Sequence, residues 1–247
     1  MDRLIYTALS GAKQILDQQA AVSNNLANAS TPAFRAQINM YRAVPVTGPE
    51  TQTRSFTLAS TPGADMKAGP LTYTGRDLDV AFTGNGWLAV QLPDGSEAYT
   101  RAGSLQVSAD GQLQTSTGLQ VLGEGGPMAV PQNAQLTIGS DGSVVARGPG
   151  DQPNGLAQIG RIRVVNAPPD SLARGDDGLF RLRQGADPLQ ADPSVKVVSG
   201  ALEGSNVNPV EAMVDMIANA RRFEMQMKMI SGVDSNDQRA NSLLGNN

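Results

Sequence analysis

The chain has 247 residues, 40% hydrophobic and 4% aromatic, which is enough to bury a core in one large domain or in two to three small ones. A net charge of −4 with no Lys/Arg cluster gives no field for nucleic acid, and the lack of cysteine and histidine removes disulfides, thiolate zinc sites and the commonest general base. No apolar run reaches the roughly 18 residues of a membrane span, and the opening MDRLIYTALSGAKQILDQQ lacks a continuous apolar core and a small-residue cleavage site. The expectation is a non-enzymatic chain with no cofactor, no metal, no nucleic-acid partner, no direct membrane insertion and no cleaved signal peptide.

The first element is a helix. Ile5, Leu9, Ala12, Leu16, Gln19, Ser23 and Leu26 step by four and three, and Ala8, Ile15 and Val22 widen that face into an assembly seam. Pro32 and its disfavour of α geometry at Thr31 end the helix near Asn28 to Ser30. Gln14, Gln18, Asn24 and Asn25 point away from the seam, an uncharged set suited to hydrogen bonds with adjacent subunits.

Residues 35–75 are rich in Thr, Pro and Gly and read as an extended connection, as do residues 185–207. Between them the period changes to two. Asn85-Gly86, Asp94-Gly95, Asp110-Gly111, Asp141-Gly142 and Asp177-Gly178 punctuate short apolar runs and supply the positive φ of tight hairpins. Residues 76–184 are therefore expected to form a mainly antiparallel β domain. Gly84-Asn85-Gly86 imitates the start of a dinucleotide loop, but no helix follows it, so it reads as a turn. Asp77 and Asp79 share one face of a strand and resemble a carboxylate pair in spacing alone; caps of a turn or strand edge explain them better.

The last element is a second helix, opening at Pro209 and free of Gly and Pro until Gly232, about 22 residues or roughly 33 Å. It holds five of the nine methionines. Met213, Met216, Ala220, Phe223, Met227 and Ile230 make a seam by the same alternation, expected to pack on the N-terminal helix. Val214, Ala218, Met225 and Met229 lie round the cylinder on a second, inter-subunit strip. Glu224 falls inside the seam, four residues before Lys228, as an i,i+4 pair or a register-setting contact. The fold class is α+β: paired terminal helices (1–34 plus 208–247, a coiled-coil-like core domain), connecting segments (35–75 plus 185–207) and an inserted β domain (76–184).

ALSGA at 8–12, SNNLANASTPAFRAQ at 23–37, LDVAFTGNGWLAV with YTRAGSLQVSADGQL, and GALEGSNVNPVEAMVDMIANARRFEMQMKMI at 200–230 resemble the bacterial flagellar rod and hook proteins over nearly the whole chain. MDRLIYTALSGA, RAVPV, STPGADM and GEGGP are most similar to the proximal-rod branch of that family. Ala33 stands before Phe34 where the family carries glycine. The resemblance implies a structural subunit of the basal-body rod, stacked with copies of itself and with sibling rod proteins into an axial shaft that passes torque to the hook. It also implies a rod lying in the periplasm and subunits delivered by the flagellar export apparatus. Methionines suit such a shaft because they fill irregular gaps between non-identical neighbours. The alternative from another class is a self-associating β-rich stalk or adhesin-type binding module.

Overall fold

The computed structural model describes residues 2–45, 55–131, 134–148, 157–186 and 189–244. Val46 of the RAVPV stretch, and residues 46–54 and 187–188 of the expected connecting segments, lie outside the described residues. The fold is α+β, with an N-terminal and a C-terminal helix flanking, in chain order, a mainly antiparallel β region. The chain divides into two units. One holds residues 1–29, 36–64 and 207–247, and the other holds residues 30–35 and 65–206.

In the helical unit, α1 (Asp2–Ala27) ends where the sequence predicts. The Asn28 amide N–H donates to the Asn24 and Asn25 carbonyls, and its side chain donates a further bond to Asn24 O at 2.9 Å, so the last turn closes before Pro32. α2 (Pro209–Leu244) is capped by Asn208, whose Oδ1 accepts from the N–H groups of Val210 (3.1 Å) and Glu211 (3.4 Å), with Pro209 in the first turn. It does not stop at Gly232. It runs 36 residues, about 54 Å, because an exposed mid-helix glycine costs only about 1 kcal/mol. Beyond that glycine, Gln238 Nε2 donates to Asp234 Oδ2 one turn back. Strands β1 (Gln37–Pro45) and β2 (Ser55–Ala64) form an antiparallel hairpin inside the expected connection, packed on α1 within this unit. No Asn-Gly or Asp-Gly dipeptide marks it in the sequence.

The second unit begins with β3 (Leu71–Tyr73), β4 (Val80–Phe82), β5 (Gly86–Gln91), β6 (Glu97–Thr100), β7 (Leu105–Val107), β8 (Leu113–Thr115) and β9 (Gln120–Gly123). It continues with β10 (Gly126–Pro127), β11 (Gln135–Ile138), β12 (Ser143–Arg147), β13 (Ala157–Arg161), β14 (Val164–Asn166), β15 (Leu172–Arg174), β16 (Phe180–Leu182), β17 (Val197–Ser199) and β18 (Ala201–Glu203). The main sheet runs β15-β16-β6-β5-β9-β8-β7, with β14 also paired to β5 and β10 to β9; β11-β12-β13 form a smaller sheet. β17 returns to β4 and β18 to β3, so part of the expected connection at 185–207 is strand. Leu88, Val90, Leu105, Leu113, Val121, Val144 and Ile162 meet in one apolar core.

The turns share one design. In the stretches 92–96, 108–112, 115–119, 139–143 and 175–179, the first residue's N–H donates to the carbonyl of the fifth. The fourth residue, a glycine of positive φ, donates back to the first residue's carbonyl. These are three-residue loops that need one left-handed residue, where two-residue Asn-Gly hairpins need two. Thr117-Gly118 joins the four Asp-Gly pairs. Asn85-Gly86 does not: Gly84 takes the positive φ and Gly86 is a buried strand residue.

Candidate assembly surface

On α2 one covered line runs through Ala212, Met216, Asn219, Phe223, Gln226, Ile230 and Val233, again at steps of four and three, with Ala218 partly covered beside it. Met216, Phe223 and Ile230 of the expected seam lie on this line. Met213, Ala220 and Met227 do not; they are exposed, and Ala212, Asn219 and Gln226 take their places beside α1. Close helix approach explains the substitution. A Cβ added at Gly11 of α1 would stand 3.3 Å from the Gln226 amide nitrogen, leaving little room for bulk at this level. Glu224 and Lys228 also sit on the exposed side, outside the seam.

On α1, Ala8, Ala12 and Ala21 are buried, and Ile5, Ile15, Gln19, Val22 and Leu26 are partly covered. Leu9 and Leu16, expected in the seam, are exposed together with Tyr6. The covered arc of α1 is turned away from them because it serves two neighbours, α2 and the hairpin. Towards the hairpin α1 is polar: Asn25 Nδ2 donates to Gln37 O (3.0 Å), Gln37 N–H to Asn25 Oδ1 (2.7 Å), and Asn39 Nδ2 to Asp17 O (3.1 Å). Asn25 thus spends on its own chain the hydrogen bonds expected for adjacent subunits. Alternation in β1 then leaves Ile38 and Met40 on the exposed side.

Of the expected strip, Val214, Met225 and Met229 are exposed and Ala218 is partly covered. Val210 and Ile217 join them, 70% and 57% exposed, though neither belongs to the expected set. With Met213 and Val214 they sit at i, i+3, i+4 and i+7, a signal readable in the sequence. Along α2, small and amide side chains at Ala212, Asn219 and Gln226 face inward beside Met216, Phe223 and Ile230, while Met213, Val214, Ile217, Met225, Met227 and Met229 face out.

The β unit contains a second cluster. Thr31 to Phe34 make a turn closed by Phe34 N–H donating to Thr31 O, with Pro32 second and Ala33 third at φ 59°, the residue order of a type II turn. Ala33 therefore keeps the left-handed angle for which glycine is suited. Ala33 N–H then donates to Glu203 O, and Asn206 N–H to Phe34 O. Arg174 lies over the Phe34 ring at 4.9 Å. Behind it, the fully buried Glu203 carboxylate meets Arg35 at 2.6 Å and Arg101 at 2.7 Å and accepts the Gly69 N–H at 3.0 Å. Arg101 also donates to the carbonyls of Phe82, Gly84 and Gly86. Burial pulls its guanidinium below the ordinary range, and Glu203 opposes that shift. Sequence reasoning missed this cluster, since Arg35 and Glu203 alone are 168 positions apart. Asp79 is likewise structural: it is buried and accepts from Thr74 Oγ1 at 2.7 Å, with Arg76 at 3.5 Å, while Asp77 contributes its carbonyl to Ser199. Neither carboxylate has the arrangement of a catalytic pair.

Three family patterns match in order. Residues 5–35 match "Flagella basal body rod protein", 81–146 "Flagellar hook protein FlgE/F/G D1 domain" and 198–243 "Flagellar basal body rod FlgEFG protein C-terminal". The chain is 57% identical over 249 residues to the flagellar basal-body rod protein FlgF of Salmonella typhimurium, covering 99% of both chains. It belongs to the flagellar basal-body rod protein family. FlgF of Escherichia coli is also 57% identical with the same coverage, and FlgG of Bacillus subtilis is 30% identical over 95% of this chain and 96% of its own. The protein is a structural subunit of the flagellar basal-body rod, not an enzyme, and family membership displaces the stalk or adhesin alternative. Among the described residues no helix is long and apolar enough to cross a membrane.

Proposed function

We propose that this rod subunit assembles by burying the outward apolar face of its helical unit against copies of itself and sibling rod proteins at the proximal end of the shaft. Val214, Ala218, Met225 and Met229 form the inter-subunit strip in this reading. Met213, Ala220 and Met227 extend it, together with Leu9 and Leu16 of α1. Met216, Phe223 and Ile230 hold a coiled-coil-like pair with Ala12, Ile15, Gln19, Val22 and Leu26 of the same chain, with Ile5 at its end. The β unit sets the outer diameter of the shaft, torque passes through the helices, and the flagellar export apparatus delivers the chain.

The observation that carries this reading is the uncovered face of α2, where Val210, Met213, Val214, Ile217, Met225, Met227 and Met229 are all about half exposed or more. That is more exposed apolar surface than a monomeric helix needs. Met225→Glu is expected to leave the thermal unfolding of the β unit unchanged while abolishing incorporation into basal bodies. Normal incorporation of that variant would contradict the assignment. Cysteine placed at 225 is expected to crosslink between chains in assembled rods, and cysteine at 223 with 15 within one chain.

A further inference from the structure

The α1–α2 seam carries two buried amide atoms without a hydrogen-bond partner: Gln19 Oε1, which lacks a donor, and Asn219 Nδ2, which lacks an acceptor. Asn219 is 1% exposed. Leaving such groups unpaired is costly inside a protein, so their placement matters.

Two facts place them at the same level. The segments that follow α1 and precede α2 are tied together by Ala33 N–H donating to Glu203 O, and Gly11, sixteen residues before Ala27, stands against Gln226, seventeen after Pro209. The helices therefore run antiparallel. Eight residues on from Gly11 is Gln19 and seven back from Gln226 is Asn219, distances of about 12 and 10.5 Å along the two axes. Both residues lie on the covered lines, Gln19 between Ile15 and Val22, Asn219 between Met216 and Phe223. A third such atom, Gln14 Nε2, belongs to the residue whose carbonyl faces Tyr41 of the hairpin, away from this line.

We infer that Gln19 and Asn219 form a register lock: their two unpaired amide atoms lie at one level of the seam, and a side-chain rotation there lets the Asn219 amide N–H donate to the Gln19 carbonyl oxygen. Sliding α2 by seven residues one way sets Asn219 against Leu26. Sliding it the other way sets Asn219 against Ala12 and Gln19 against Ala212. Either slip strands a buried amide, whereas the small and apolar residues of the seam tolerate all three alignments. A polar pair at one seam level specifies register in paired helices at some cost in stability. The need is specific to this unit: large apolar side chains stand on its outward face as well as in its seam, so burial alone does not distinguish its own partner helix, correctly aligned, from a neighbour's. The lock concerns the intrachain pair and does not depend on which outward residues touch the next subunit.

The test uses full-length chains in assembled basal bodies, with reporter cysteines in a chain that has none. Ala8→Cys with Ile230→Cys reads the native register; Ala8→Cys with Phe223→Cys reads a slip. With Gln19 and Asn219 intact, the native crosslink is expected to exceed the slipped one at least about tenfold. Gln19→Leu with Asn219→Leu should bring the two to within about twofold, while Gln19→Asn with Asn219→Gln, which keeps an amide pair, should restore the native excess. Native-only crosslinking in the double leucine variant overturns the lock, and so does failure of the exchanged pair to restore register. If the leucine variant does not incorporate at all, the exchanged pair alone decides: normal incorporation supports the lock, and exclusion refutes it. Met225→Glu reads the outward strip separately, so the two ideas fail independently.

Discussion

Ala33 shows how much one residue's backbone angle carries. Its φ of 59° is the only positive value among described non-glycine residues, and it sits between Pro32 and the Phe34–Arg35 pair that anchors this segment in the β unit. A left-handed angle costs an L-residue about 1–2 kcal/mol, partly offset because alanine loses less unfolded-state freedom than glycine. The surrounding bonds hold the strain: Ala33 N–H to Glu203 O at 2.8 Å, and the Arg35–Glu203–Arg101 cluster behind it. Ala33→Gly is therefore expected to stabilise the β unit by about 1 kcal/mol, raising its Tm by about 2–4 °C in calorimetry. A lower Tm would mean that chain entropy outweighs the backbone strain. The position was legible as a departure from family glycine; the ion cluster that enforces the angle was not, because no local pattern links Arg35, Arg101 and Glu203.

At the scale of elements, the turn carboxylates stabilise their own loops. Asp94 and Asp141 each accept from the N–H and hydroxyl of the serine two positions on, and Asp177 accepts from Leu179 N–H and Arg181. The Ser143 hydroxyl and then its N–H hold the Asp141 carboxyl down to about 2. A depressed carboxylate contributes stability above its unfolded pKa and loses it as pH falls through the folded value, so this turn weakens between the ordinary carboxylate range and about pH 2. Ser143→Ala is expected to move the Asp141 titration upward in carboxyl NMR while the β11–β12 pairing persists. An unmoved midpoint would remove the hydroxyl from the account. Asp-Gly dipeptides identified four of these turns correctly as turns. They did not reveal the three-residue geometry, which is set by how far apart the flanking strands pair.

For the molecule as a whole, the two units are built on different terms. Among the described side chains of the helical unit, the fully buried apolar ones are all alanines: Ala8, Ala12, Ala21 and Ala212. The β unit buries Leu, Val, Ile and Phe in one continuous core. At about 25 cal/mol per Å² of apolar surface, four alanines contribute little against the entropy of ordering two long helices. In the free subunit, limited proteolysis is therefore expected to remove residues before about 30 and after about 206. The first segment cut away should end ahead of the anchored Phe34 and Arg35, and the same bonds should resist cleavage in isolated basal bodies. Terminal helices that survive digestion in dilute monomer would contradict this expectation.

Residue order by itself determined the two terminal helices, the β region with most of its turns, and the family, because each rests on spacing over a few residues or on motifs carried intact. The side of each helix that faces inward was decided only by tertiary structure. Hydrophobic ranking placed Met213, Leu9 and Leu16 inside, yet close packing at Gly11 and the shared demands of α2 and the hairpin on α1 put Ala212, Asn219 and Gln226 there instead. A helix with apolar residues nearly all round its cylinder does not state which of them its own chain will cover. That choice depends on how closely the neighbouring backbone approaches and which polar groups it leaves to be satisfied, and neither is a property of the helix alone.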